Sequence, residues 1–237
     1  LPYFDFPKEE NPLLGLRAIR FSMEYLELFK DQIKDILLAA KKGFKFKIML
    51  PMITNLWEVE TAKDIIEDLA KEVGLSSGDV PELGVMMEVP AMIYQLDDYN
   101  DMVDFISIGT NDLIQYLLAV DRNSNMGGHL YSGFHPAVLR MLNDIYIKSQ
   151  HLGMDVSVCG EMAGTPSGAL SLISLGYNQL SISPSNVPPI RYLCKRTDKN
   201  LLITIRHKIL NIRKKSDIER YIVEALESIE PALIKIE

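Results

Sequence analysis

The chain has 237 residues, 47% of them hydrophobic, and a formal net charge of −7 at pH 7. It holds enough apolar material for a large core, yet no apolar run approaches the ~20 residues a membrane span requires. The acidic balance argues against generic nucleic-acid binding, which needs a basic footprint, and two cysteines 35 positions apart, Cys159 and Cys194, make neither a disulfide framework nor a CxxC knuckle. A reducing cytoplasm is the simplest fit.

The opening residues, Leu1 to Leu16, read as irregular, with Pro7 and Pro12 blocking regular structure and Gly15 allowing a turn. A helix is predicted from about Phe21 to Lys42, because Leu26, Phe29, Ile33, Ile36, Leu37 and Ala40 recur at helical spacing and Gly43 follows. Phe46 to Met52 reads as a strand, and Asn55 as the cap of a helix over 56–73. Leu83 to Val89 is a second strand, Pro90 opens a short helix, and residues 102–108 form a third strand. A helix from Asp112 to Ala119, a polar loop over 121–134 and a helix over 136–152 with Pro136 in its first turn come next. Asp155 to Val158 is a fourth strand, 166–175 a helix, Gln179 to Ser183 a fifth strand, and a helix runs to Arg196. The tail is helical over 200–212 and 216–229, with the basic cluster Arg206 to Lys215 read as a solvated face.

Strands alternate with helices, and the strands are continuously apolar. That pattern predicts a parallel sheet covered by helices. A (β/α)8 barrel needs eight strands, so the expectation is either an open sheet or a barrel whose front strands lie ahead of Leu1. The absent initiator methionine favours the second.

Three strand ends finish in polar groups: Glu88 after Val85-Met86-Met87, Asn111-Asp112 after Ile106-Ser107-Ile108-Gly109-Thr110, and Cys159 with Glu161 after Val156-Ser157-Val158. The carboxyl ends of parallel strands are where α/β folds put their chemistry. Two hard oxygen donors, Glu88 and Asp112, suit Mg²⁺ with substrate and water in the remaining positions. Arg17 and Arg122 could answer a phosphate through the guanidinium fork. Each residue also has a plain reading: Asn111-Asp112 as a helix cap, Glu88 as a structural acid, Arg17 as a solvent-facing helix start, Arg122 as the partner of Asp121, and Cys159 as a packed thiol. His129 and His135 read as structural or solvated.

Five segments in order then resemble one family: Phe6-Pro7-Lys8-Glu9-Glu10-Asn11-Pro12-Leu13-Leu14-Gly15-Leu16-Arg17-Ala18-Ile19-Arg20, Gly84-Val85-Met86-Met87-Glu88-Val89-Pro90-Ala91, Ser107-Ile108-Gly109-Thr110-Asn111-Asp112-Leu113, Ala119-Val120-Asp121-Arg122, and Cys159-Gly160-Glu161-Met162-Ala163-Gly164. They are similar to enzyme I, the phosphoenolpyruvate–protein phosphotransferase family, in its C-terminal phosphoenolpyruvate-binding barrel.

The resemblance implies a TIM barrel of the phosphoenolpyruvate/pyruvate type, present as about its last five strands over residues 1–197, with 198–237 as a helical extension packed on it. It implies that Arg17 and Arg122 bind the substrate phosphate, Asn111 and Asp112 also touch substrate, Glu88 and Asp112 hold Mg²⁺, and Cys159 protonates the enolate. The activity implied is transfer of the phosphoryl group to a histidine on a separate N-terminal domain, giving pyruvate, as the first step of a sugar phosphotransferase system. Implied partners are phosphoenolpyruvate, pyruvate, a histidine-containing phosphocarrier protein and a second copy of the chain, in the cytoplasm and without nucleic acid or membrane. The loop Ser132 to Arg140 is closer to the nitrogen-branch paralogue, and Thr165 departs from an aspartate usual after Ala-Gly. Pyruvate phosphate dikinase and phosphoenolpyruvate synthase share part of the pattern. A non-catalytic phosphoenolpyruvate-sensing or dimerisation domain, and a metal-dependent aldolase-like lyase, are the readings from other classes.

Overall fold

In the computed structural model, which describes residues 9–124 and 127–236, four strands run parallel in the order β1-β2-β3-β4. They are β1 (Ile48–Leu50), β2 (Leu83–Met87), β3 (Phe105–Gly109) and β4 (Val156–Cys159). Val85, Met87, Ile106, Ile108 and Val158 are completely buried, as expected of strands covered on both faces. The Phe6-Pro7-Lys8 lead-in of the first motif lies outside the described residues.

The helices before and between the strands are α1 (Ile19–Glu24), α2 (Leu26–Lys41), α3 (Leu56–Glu72), α4 (Leu96–Tyr99), α5 (Thr110–Leu118) and α6 (Pro136–Leu152). After β4 come α7 (Glu161–Gly164), α8 (Pro166–Leu175), α9 (Val187–Arg196), α10 (Lys199–Asn211) and α11 (Lys215–Ile229). Two boundaries follow from local chemistry. The Glu58 carboxylate reaches back to accept the Asn55 N–H at 2.8 Å, fixing the start of α3. Pro136 sits in the first turn of α6 and Gly153, left-handed at φ 71, ends it.

Two expectations differ. The single helix predicted over Phe21–Lys42 is broken at Tyr25, whose φ of −115° and ψ of 62° lie off the helical values, although Phe29 N–H still reaches the Tyr25 carbonyl at 3.2 Å. The fifth strand, predicted over Gln179–Ser183, is a single bridge between Val158 and Leu180. Val158 N–H donates to Gln179 O at 3.0 Å and Ser181 N–H to Val158 O at 2.8 Å. The ladder goes no further before Pro184, whose fixed φ starts a 3₁₀ turn. The eight strands of a closed barrel are therefore not among the described residues; what is present is an open parallel sheet with β1 at one edge.

α10 and α11 pack on α8 and α6 through Ile205, Ile209, Ile218, Ile222 and Leu226, all buried. Within the basic cluster, Arg206 is not simply solvated. Its guanidinium donates twice to Asn143 Oδ1 of α6, at 2.8 and 3.1 Å, and lies over the Tyr146 ring. No helix among the described residues is long and apolar enough to cross a membrane.

Candidate active site

Strand register sets the site. Met87 is level with Ile108, and Gly109 with Cys159; Glu88, one residue past Met87, therefore falls beside Gly109, and Glu88, Gly109 and Cys159 form one row at the carboxyl ends of β2, β3 and β4. Gly109 leaves room for its neighbour: a Cβ there would stand 2.7 Å from Glu88 Cγ.

β3 runs directly into α5, so Asn111 and Asp112 occupy its first turn. Neither caps the helix, whose cap residue is Gly109. Their side chains reach across instead. Asn111 Oδ1 accepts the Glu161 N–H at 3.0 Å, and Asp112 Oδ2 lies 3.3 Å from Arg17 Nη2. Thr110 Oγ1 donates to the Cys159 carbonyl at 2.7 Å, fastening β3 to β4 at the rim.

Glu88 is 8% exposed, and its Oε2 accepts the Met52 N–H at 2.8 Å. Burial pushes its carboxyl above the usual range, helped by the Asp112 charge and opposed by the Met52 N–H and Arg17. Met52 holds this pose at φ 59°, and Ala18, next to Arg17, sits at φ 54°. Such values strain residues other than glycine, and both flank side chains of the site.

Arg122 is paired across the rim with Glu161 at 3.8 Å rather than with Asp121. Asp121 instead accepts the Asn123 N–H at 2.8 Å. Tyr131, pushed up to about 12 by burial and by Glu161, donates to the Asn111 carbonyl at 3.2 Å. The Cys159 thiol is half-buried, with Sγ 3.3 Å from the Ile108 carbonyl. Burial raises its pKa, and the Glu88 charge adds to this against a hydrogen bond with Ser107. The thiol thus keeps its proton.

All six residues singled out from the sequence meet here: Arg17, Glu88, Asn111, Asp112, Arg122 and Cys159. The sequence reading missed Met52, Thr110, Tyr116 and Tyr131. Only Tyr116 carried a usable signal, standing four residues after Asp112 on one helix face. Among the described residues no group of three or more His, Cys, Asp or Glu could hold a metal. The carboxylate pair alone still fits a hard cation completed by substrate and water, since Glu88 Oε1 and Asp112 Oδ1 accept no hydrogen bond from the described residues.

The family described as PEP-utilising enzyme, PEP-binding domain, matches residues 1–199. The chain is 37% identical over 230 residues to a phosphoenolpyruvate-dependent phosphotransferase system protein of Salmonella typhimurium, covering 96% of this chain and 31% of that protein. It is 39% identical over 224 residues to a phosphoenolpyruvate-protein phosphotransferase of Borreliella burgdorferi, covering 93% and 39%, and 37% identical over 226 residues to that of Geobacillus stearothermophilus, covering 94% and 39%. The chain thus spans 31 to 39% of the length of these relatives. Among solved structures, a citrate lyase from Burkholderia xenovorans superposes with a TM-score of 0.54 at 18% identity, over 86% of this chain and 68% of that one, a likeness of α/β fold alone. Because the family match runs through all four strands and every side chain at their rim, the chain belongs to the phosphoenolpyruvate-binding domain family of phosphoenolpyruvate-utilising enzymes.

Proposed function

We propose that this chain is the substrate-binding and proton-donating portion of a cytoplasmic phosphoenolpyruvate–protein phosphotransferase. The observation that carries the reading is the meeting of two arginines, two carboxylates with an open oxygen each and a protonated thiol at one end of one sheet. Phosphoenolpyruvate presents a phosphate for the arginines, oxygens whose charge a cation held by the two carboxylates would neutralise, and a carbon that must gain a proton from the thiol.

Arg17 and Arg122 bind the phosphate through paired N–H groups. Asn111 Oδ1 is occupied by the Glu161 N–H, so its Nδ2 is the side that donates to substrate. Glu88 and Asp112 would hold Mg²⁺, which when bound neutralises charge on substrate oxygens. The P–O bond breaks as a P–N bond forms to a histidine on a separate domain, and the pyruvate enolate remains. Cys159 then gives its S–H proton to the enolate methylene carbon, and water reprotonates the thiolate. For such a transfer positioning and charge neutralisation dominate, and the fixed rim supports both.

The finer fold reading belongs to the same proposal: residues 1–197 as the last strands of a phosphoenolpyruvate-binding barrel, 198–237 as its helical extension, and the assembly as a homodimer working with a histidine phosphocarrier. The outer edge of β1 supports it. It borders a groove of about 440 Å³ lined by Ile19, Phe29, Ile33 and Ile36, an apolar edge of the kind a further strand covers.

Calorimetric titration of the chain with phosphoenolpyruvate, with and without Mg²⁺, tests the reading. Saturable binding that requires Mg²⁺ is the expected result. Absence of binding under both conditions overturns it.

A further inference from the structure

One helix holds Arg17 by two of its nitrogens. Asp112 and Tyr116 lie four residues apart on α5 and so share a face. Asp112 Oδ2 takes Nη2 at 3.3 Å and the Tyr116 hydroxyl oxygen takes Nη1, also at 3.3 Å. The same hydroxyl donates its hydrogen to the Leu13 carbonyl. A single phenol therefore fastens both ends of the segment 13–17 to the helix that carries Asn111 and Asp112.

The other hydrogen bonds of that segment are local in sequence: Leu14 N–H to Asn11 O at 2.9 Å, Leu16 N–H to Glu9 Oε1 at 2.9 Å, and Arg20 Nη1 to the Leu14 carbonyl at 2.8 Å. They shape the backbone of the segment but none of them touches the Arg17 guanidinium, and an arginine side chain left alone has many rotamers. The two holds also differ in kind. Asp112 offsets the charge of Arg17, whereas a neutral hydroxyl fixes the guanidinium plane and leaves its charge for an anion. The Tyr116 ring borders a cavity of about 410 Å³ rather than the fully buried core, so a phenylalanine there keeps the packing and loses only the two hydrogen bonds.

We propose that Tyr116 is a positioning residue, which orients the Arg17 guanidinium toward the substrate phosphate by bridging it to the Leu13 carbonyl. This rests on the functional reading in which Arg17 binds that phosphate.

The test compares the parent chain with Tyr116→Phe, Arg17→Lys and the double variant. Each is titrated with phosphoenolpyruvate in Mg²⁺, and each is measured for Mn²⁺ affinity by electron paramagnetic resonance and for thermal unfolding. Tyr116→Phe should weaken phosphoenolpyruvate binding about ten- to a hundredfold, the scale of a lost hydrogen bond to a charged group. Its Mn²⁺ affinity should stay within about twofold, because the double-mutant logic confines the loss to groups that touch. Added to Arg17→Lys, which has no planar fork to orient, the same change should cost less than about twofold. Equal binding by Tyr116→Phe and parent, or an equal further loss in the lysine background, overturns the positioning role while leaving the functional reading intact. A parent chain that binds no phosphoenolpyruvate, or an Arg17→Lys variant that binds as the parent does, overturns the reading of Arg17 itself, and the positioning role falls with it.

Discussion

Gly160 is the residue whose replacement most directly tests how the rim is held together. It sits between Cys159 and Glu161 at φ 101° and ψ 178°, a region essentially reserved for glycine and costing other residues roughly 1–3 kcal/mol. A Cβ there would also stand 2.3 Å from Thr110 Oγ1 and 2.9 Å from Asn111 Oδ1. Neither oxygen is at the end of a long side chain that can swing clear. Thr110 is tied to the Cys159 carbonyl and Asn111 to the Glu161 N–H. Relieving the clash breaks at least one of these bonds, worth about 0.5–1.5 kcal/mol. Gly160→Ala should therefore cost about 2–4 kcal/mol, and at ~2–4 °C per kcal/mol for a chain of this size the midpoint of thermal unfolding should fall by roughly 5–15 °C. Gly153→Ala is the control. It too has a positive φ, 71°, but nothing lies within 4 Å of its added Cβ, so only the left-handed backbone is penalised, at about 1–2 kcal/mol. Scanning calorimetry on both variants decides. Equal midpoints for the two, or a smaller loss at position 160, would refute the claim that the Thr110 and Asn111 bridges are rigid.

At Gly109, where the backbone φ of −83° accepts alanine, the added Cβ 2.7 Å from Glu88 Cγ should displace the carboxylate at about 1–3 kcal/mol and weaken Mn²⁺ binding measured by relaxation; unchanged metal affinity would show that Glu88 is not a ligand. Glu161→Gln removes the 3.8 Å partner of Arg122 from a pair whose acid is 78% exposed. It should shift the unfolding midpoint by no more than ~4 °C while tightening phosphoenolpyruvate binding in calorimetry, and a weaker complex would count against Arg122 as a phosphate ligand. Burial holds the Cys159 thiol above its ordinary value of 9.0, so iodoacetamide labelling at pH 8, followed by mass spectrometry, should be slower at Cys159 than at an unburied peptide thiol and accelerate only above pH 9. By the same linkage its contribution to stability is complete below the unfolded value and is lost as pH rises through the native one. Rapid labelling at pH 8 would contradict both.

What could be read from the sequence is what parallel strands force. A continuously apolar run followed by a polar residue places that residue at the carboxyl end, and all strands of a parallel sheet end on one side. Glu88, Asn111, Asp112 and Cys159 were therefore predicted to share a rim before any register was known, and the pairing of Gly109 with Cys159 bears out the shared rim for two of the three strand ends. Local chemistry was equally legible at α6, where Pro136 and Gly153 bracket the helix. The break at Tyr25 was not, because apolar spacing continues through it. Nor was the shortening of the fifth strand, since Gln179–Ser183 has strand-like alternation and only the 3₁₀ turn at Pro184 cuts its ladder.

Side-chain partnerships were the least legible part, for a physical reason. Arg17 meets Asp112 and Tyr116 across 95 and 99 positions, and Met52 N–H meets Glu88 across 36 through a backbone angle that no methionine advertises. Sequence proximity favoured Asp121 for Arg122, yet the Asn123 N–H occupies Asp121 and leaves Glu161 as the partner.

The two arginines consequently rest in unequal surroundings. The Asp112 side chain is 13% exposed and that of Glu161 78%, so the first pair is partly shielded from water and further fixed by one Tyr116 hydrogen bond, whereas the second is solvated and long. An exposed pair of that kind is worth about 0–1 kcal/mol, little enough for an incoming anion to break. A partly buried and multiply bonded guanidinium costs more to move, and its geometry is set before any ligand arrives. In the proposed reading Arg17 is the fixed anchor and Arg122 the group that exchanges its carboxylate for the ligand, a division of labour that follows from the partners, since the two arginine side chains are themselves equally exposed, at 33% and 34%. It also resolves how a chain of net charge −7 can present a phosphate with positive charge. The cations are few: in the proposed reading Arg17 stays fixed beside Asp112, and Arg122 rests on Glu161 until an anion takes its place.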